Sequence, residues 1–480
     1  MLTMLGTPRR TCDGVTRRET LRAGALSVLG AGLSLPSLLR AEESPSGHRR
    51  PSKAKSVIVL YLLGGAPTQD MWDQKPSAPA EVRGEFKPIA SSAPGMLVCE
   101  HLPKMARWMH KSAIVRSVNH KAGCHNPLPS YTGYEVPLPD IIATRDTYPP
   151  SMGSVCEYLK ESRADHPAYV YMPCYLGWGQ AIRRPGPYAG FLGKRFDPLF
   201  TEVTPYTDKE RPAPQPGAPQ PVRGAPLLPD SSLAADVTID RFDGRRTLLQ
   251  QIDDRLRDKQ LQAAVGQFDR TRQRAFDILT SRQAKEAFDL SAVDPKVLDR
   301  YGRTLFGNTA LIARRLVQAG VRCVNVTWDL YWDRLKVNYD AWDTHTHNFP
   351  ILKNVNLPDL DTTFSALMHD LDEHGLLDET LVVVMSEMGR TPRINANGGR
   401  DHWTFCYSVL FAGAGVRGGT VYGASDAQAA YVKDKPASTG DICATIYECL
   451  GIDPEMTVPD RSGRPVPVAN GGSPIRDIVA

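Results

Sequence analysis

Apolar residues in this chain come in blocks. The runs Ser56–Leu63, Ala113–Ser117, Ala168–Met172, Val321–Trp328, Leu381–Ser386 and Ser408–Ala412 are short, mostly β-branched and followed by glycine or polar residues. Such runs predict strands buried on both faces. Between them, Leu102–Met109, Ser154–Ser162, Thr304–Ala319, Leu360–His374 and Asp441–Leu450 repeat apolar residues at intervals of three and four, which predicts helices. The unit Leu305–Ala319, Gly320, Val321–Val326 reads as helix, C-cap glycine and buried strand. The alternation predicts an α/β fold, a doubly wound and mostly parallel sheet with helices on both faces.

Two stretches break the pattern. Residues 201–230 hold eight prolines and little apolar content, so a Pro-rich exposed loop is expected over 201–235. Residues 236–300 place Leu248, Leu249, Ile252, Leu256, Phe268, Phe276 and Leu279 at helical intervals and predict a small helical insert. Neither interrupts the strand–helix order, so a single domain over 56–470 is expected, with a linker at 42–55 and a tail at 471–480.

Charge changes the picture at the N-terminus. Thr16-Arg17-Arg18-Glu19-Thr20-Leu21-Arg22 precedes the uncharged run Ala23–Leu39, a pattern that resembles a twin-arginine export signal spanning residues 1–41. The run is too short and too rich in glycine and proline to span a membrane. No later segment is long and apolar enough, so no stable span is expected in the mature chain. Residues 1–41 hold six arginines against Asp13 and Glu19, a surplus of four that equals the whole-chain net charge of +4. The mature chain is therefore formally neutral, which removes the electrostatic case for nucleic acid. A periplasmic or extracellular location is expected, with the twin-arginine export machinery as partner. Eight cysteines remain after the leader, and their spacing is not that of a disulfide framework.

Candidate chemistry gathers after the strands. Leu381–Met385 leads into Ser386-Glu387 and then Asp401-His402-Trp403; Trp342-Asp343-Thr344-His345-Thr346-His347-Asn348 forms a second cluster, and Asp70-Met71-Trp72-Asp73 a third. Acids and imidazoles beyond the carboxyl ends of parallel strands point to a divalent-metal site. Asp343, His345 and His347 alternate at a spacing of two, so an extended segment would project all three to one side, and a polar surface loop is the plain alternative. Arg390 would either neutralise an anionic substrate oxygen or pair with Glu387 or Asp401. The segment Asn119–Pro127 carries Cys124 beside His125, where a nucleophile or substrate clamp is expected. His120, His125, His345, His347 and His402, five of the eleven histidines, fall in these segments. Core packing explains that concentration poorly.

Leu63-Gly64-Gly65-Ala66-Pro67 with Asp70 and Asp73, Arg83-Gly84 before Phe86, Trp342-Asp343-Thr344-His345, Ser386-Glu387-Met388-Gly389-Arg390-Thr391-Pro392 and Gly399-Arg400-Asp401-His402-Trp403 together resemble the domain-of-unknown-function 1501 family. That family is placed in the alkaline-phosphatase-like superfamily of phosphatases and sulfatases. The resemblance implies an alkaline-phosphatase-like fold and a divalent ion (Zn, Ca, Mg or Mn). It implies ligands among Asp70, as first metal acid with Asp73 as competitor, Asp343, His345, His347, Glu387, Asp401 and His402, while the clusters themselves offer Arg390, His125 and Cys124 as catalytic candidates. Glu387-Met388 replaces the superfamily's Asp-His, and no formylglycine signature surrounds Cys124. The expected function is an exported metal-dependent hydrolase acting on a phosphate or sulfate ester of a small molecule or polysaccharide. The alternatives are an inactive secreted binding or assembly protein and a phosphomutase or phosphotransferase.

Overall fold

A computed structural model describes residues 51–137, 146–159, 167–207, 220–228, 282–331, 335 and 341–480. The leader and most of the helical insert and Pro-rich loop lie outside these residues.

The apolar runs become strands of one sheet: β1 (Ser56–Leu62), β2 (Ser112–Asn119), β3 (Tyr169–Met172), β4 (Leu199–Phe200), β5 (Cys323–Trp328), β6 (Thr380–Met385), β7 (Tyr407–Gly413), β8 (Thr420–Tyr422) and β9 (Ala437–Ser438). Their order is β8-β2-β7-β6-β1-β5-β3-β4, and β9 also pairs with β2. β1 runs parallel to both β6 and β5, while β7 alone lies antiparallel to its neighbours β6 and β2. Every residue of β1, β5 and β6 is buried, as expected of strands covered on both faces. The short strands β4, β8 and β9 give no pattern in the sequence. Each is two or three residues long and sits at a sheet edge.

Helices α1 (Leu128–Thr132), α2 (Met152–Tyr158) and α5 (Thr439–Leu450) line one face together with Val57, Val59, Tyr169 and Cys323. On the other face α3 (Leu305–Gln318) packs on β1 and β5 and against α4 (Leu357–Glu373). Capping sets the boundaries: the Thr304 side chain accepts from the Gly307 N–H, and Ser438 with Asp441 forms a capping box closed at the far end by left-handed Gly451. The helix expected over Leu102–Met109 is instead a 3-10 turn, Met105–Lys111, because Pro103 limits the start and Asp361 on α4 takes the N–H groups of Lys104 and Met105. Among the described residues all eight cysteines are free, and no helix is long and apolar enough to cross a membrane.

Beyond β5, Asp329 is fully buried and accepts the N–H groups of Gly177 (3.3 Å), Gly179 (3.1 Å) and Leu330 (2.9 Å). It pins the loop that leaves β3. Burial pushes its carboxyl up to about 6, against the lowering pull of those N–H groups and of Arg184. The native chain then holds this proton to higher pH than the unfolded chain, so the contribution favours folding below the ordinary 3.8 and is lost as pH rises through about 6. Relative to Asp329→Asn, wild-type unfolding free energy is expected to drop by about 2–3 kcal/mol between those values. Denaturant unfolding across that range checks it, and a flat difference would contradict the assignment.

Candidate metal centre

The exits of β1, β2, β5 and β6 meet at one edge of the sheet. β1 leaves through Gly64-Gly65, where a Cβ on Gly64 would stand 2.5 Å from the Asp343 nitrogen, and its φ is +116°. Only glycine lets the β1 exit lie against the Trp342-Asp343 backbone. β6 leaves through Ser386-Glu387. The Ser386 hydroxyl donates to the Leu62 carbonyl (2.6 Å) and accepts from the Gly65 N–H (3.1 Å), locking the two exits together. β2 leaves through His120. Its Nε2–H donates to the Glu387 carbonyl (2.7 Å) and its Nδ1 accepts from the Ala122 N–H (3.2 Å), so the ring is neutral, and burial lowers its pKa further.

Asp343 is the hub. Its Oδ2 lies 3.1 Å from His125 Nε2, and its Oδ1 lies 3.1 Å from both His402 Nε2 and His345 Nε2. The two latter nitrogens are 2.9 Å apart. His125 Nδ1 meets Glu387 Oε1 at 3.3 Å, and His345 Nδ1 meets Asp401 Oδ1 at 2.7 Å. A carboxylate only accepts, so His125, between Asp343 and Glu387, and His345, between Asp343 and Asp401, satisfy both acids only as imidazolium; with a single proton on Nδ1 the Nε2 lone pair faces Asp343. Lone pair against lone pair repels unless a cation stands between. Protonating the rings one by one would set imidazolium against imidazolium, whereas one divalent ion satisfies every donor. Tetrahedral zinc, with donors at 2.0–2.1 Å, separates them by about 3.3 Å, close to the 3.1 Å from Asp343 to His125 and to His402. His125, Asp343 and His402 form a group able to hold a metal ion, and His345 adjoins it.

With the rings protonated, the same contacts act as hydrogen bonds. Burial alone would raise Asp343, but hydrogen bonds from His125 and His402 and the charge of Arg390 hold it well below the usual carboxylate range. Glu387, wholly buried, is likewise lowered, its desolvation outweighed by His125 and the Gly64 N–H (2.8 Å). Asp401 is lowered chiefly by the His345 hydrogen bond. Burial lowers His125, yet Asp343 and Glu387 outweigh it and raise the ring; in His402 burial wins and the net shift is downward.

Several expected site residues stand elsewhere. Asp70, expected as the first metal acid, is buried in a two-pronged pair with Arg400 (2.8 and 2.7 Å) and accepts from Asn348 (2.9 Å). Its competitor Asp73 meets Lys75 at 2.9 Å and also Ser425. His347 is exposed at φ +52°, where it begins a short helix, so the segment is not extended and the ring turns away from its neighbours. Glu387 and Asp401 meet the Nδ1 atoms of His125 and His345. Arg390 pairs with Asp343, not with Glu387 or Asp401. Three more of its five donors go to the carbonyls of Gly64, Gly65 (2.8 Å) and Arg400 (3.1 Å), and the side chain is wholly buried. Cys124 is exposed, and its thiol is raised by burial with Asp343 and Glu387 adding to the shift against Arg390, the opposite of an activated thiolate. The positioning roles of Ser386, His120 and Gly64 have no signal in the sequence beyond proximity to the clusters.

A family model described as a protein of unknown function, DUF1501, matches residues 54–479. The chain belongs to the DUF1501 family. No curated protein matches it. Among solved structures this DUF1501 chain is similar to the lipoteichoic acid synthase LtaP from Listeria monocytogenes (9% identity, TM-score 0.35, 90% of this chain and 78% of that one). It is similar also to a protein in the alkaline phosphatase superfamily from Vibrio parahaemolyticus (9%, 0.36, 90% and 73%). A third is the phosphonate monoester hydrolase SpPMH from Silicibacter pomeroyi (16%, 0.31, 87% and 77%).

Proposed function

We propose that this DUF1501 protein is an exported hydrolase that holds one divalent ion, zinc by its donor set, and cleaves a sulfate or phosphate ester. One observation carries the reading: three imidazole Nε2 atoms converge on Asp343 while carboxylates fix two of the rings through Nδ1. Carboxylate, histidine and ion in line is how metal-binding imidazoles are oriented. His125, His345, His402 and Asp343 would be the ligands, and three nitrogens with one oxygen suit zinc better than calcium or magnesium. When bound, such an ion polarises an ester oxygen and activates water. The chain supplies the rest. Glu387 and Asp401 hold two ligand rings, Arg390 balances the charge of Asp343, and the raised thiol of Cys124 leaves water as the nucleophile. Export is supported by the twin-arginine-type leader.

The commitment of Arg390 and the weak thiol also favour a second reading, a metal-stabilised binding protein without turnover. Metal analysis of the purified protein is expected to give one ion per chain. Glu387→Gln is expected to weaken metal affinity by about 10–100-fold, because the outer carboxylate no longer fixes His125. Turnover of aryl sulfate or aryl phosphate by the loaded protein selects the hydrolase; metal without turnover selects the binding protein. Absence of metal after loading removes both.

A further inference from the structure

Arg390 is wholly buried and turned to Asp343 and three carbonyls, so an anionic ester calls for another protein cation. We infer that Arg184 fills this role and binds a tetrahedral oxyanion, sulfate or phosphate, beside His125. The inference rests on the proposed ester chemistry for its ligand class, but on Arg184 alone for its geometry.

Four arginines are buried among the described residues: Arg184, Arg314, Arg390 and Arg400. Arg314 meets Asp370, Arg390 meets Asp343 and Arg400 meets Asp70. Arg184 differs. Although only 2% exposed, its hydrogen-bond acceptors among the described residues are all uncharged: Gln180 Oε1 takes Nε–H at 3.0 Å and an NH2 hydrogen at 2.7 Å, and the His125 carbonyl takes an NH1 hydrogen at 3.4 Å. A guanidinium has five N–H donors, so two remain uncommitted, one on each terminal nitrogen. A buried charge without a counter-ion is costly, and a ligand anion with two oxygens matches the two free donors. Asp329, whose carboxyl feels the Arg184 charge without a salt bridge to it, already accepts three backbone N–H groups.

Position favours the same role. The carbonyl that holds NH1 belongs to His125, whose ring faces Asp343, so the cation touches the backbone of a residue of the candidate centre. The loop is rigid. The Arg184 N–H donates to the Leu176 carbonyl (3.0 Å), Asp329 clamps Gly177 and Gly179, and a Cβ on Gly179 would sit 1.8 Å from the Leu330 oxygen. Gln180 aims the guanidinium through a double contact, which makes it a positioning residue.

The test is titration calorimetry of inorganic phosphate and inorganic sulfate into the full chain, metal-loaded and metal-stripped. Arg184→Gln is expected to weaken the bound anion by about 10–100-fold in both states, the range for a hydrogen bond to a charged group. Metal content should not change. Gln180→Ala, which buries no new charge, is expected to weaken binding less and in the same direction, and it decides the matter if Arg184→Gln does not fold. Preference between the two salts tells a sulfate site from a phosphate site. Unchanged affinity in both variants, or a wild-type protein that binds neither anion, overturns the inference. A wild-type protein that takes up no metal on loading yet binds anion through Arg184 would sink the hydrolase reading and leave this one standing.

Discussion

Replacing Asp343 by Asn is expected to abolish metal binding and to cost about 3–5 kcal/mol of stability in the metal-stripped protein. The first effect follows from the geometry. Asp343 Oδ1 and Oδ2 together contact all three imidazole Nε2 atoms, so losing its charge removes the one oxygen donor of the set. In its place an amide N–H2 can donate to the His125 lone pair, closing the gap where an ion would sit. Metal affinity should drop by more than about 100-fold, beyond the range seen for outer partners. The second effect comes from Arg390. Its side chain is wholly buried, and Asp343 is its only charged partner among the described residues, so the variant leaves a guanidinium with carbonyls alone. Metal analysis after loading reads the first effect, and denaturant unfolding in chelator reads the second. Wild-type metal content in Asp343→Asn would mean that the three imidazoles do not define the centre.

The framework of this site was legible because burial writes itself into composition. Ser56–Leu62 and Thr380–Met385 are apolar throughout since both faces are covered, and the ends of such strands mark the functional edge whatever the loops do. The clusters holding Asp343, His345, Glu387 and His402 stood out as acids and imidazoles gathered in the loops that follow apolar strands. Roles within the clusters were not legible. Glu387 and Asp401 lie as near in sequence to the strand ends as a ligand would. What assigns them to imidazole Nδ1 atoms is the rotation of His125 and His345, which no spacing encodes. His347 looked equivalent to His345 until a left-handed φ took it out of register. Arg184 carried no signal either, because its lack of a carboxylate partner exists only in three dimensions.

Asp70 shows the limit most sharply and gives the second large effect. Asp70→Asn is expected to cost about 3–5 kcal/mol while leaving one metal ion per chain at saturating metal. Asp70 is 1% exposed, and both its oxygens meet Arg400, whose remaining contacts are the carbonyls of Val82, Thr391 and Pro392. Removing the carboxylate strands that guanidinium in the interior and turns the amide of Asn348 toward another amide. The damage spreads along two chains toward the centre. Asn348 accepts from Thr344 (2.6 Å), next to Asp343 and His345, and the Arg400 N–H bonds the Thr344 carbonyl (3.0 Å) just before Asp401 and His402. Affinity for metal should weaken modestly through lost positioning, but no donor atom is removed, so stoichiometry holds. Loss of the ion at saturating metal with unchanged stability would reverse the assignment and make Asp70 a ligand. An acid at the mouth of the first strand invites that role in any sequence; here an arginine from a segment 330 residues later claims it for the fold.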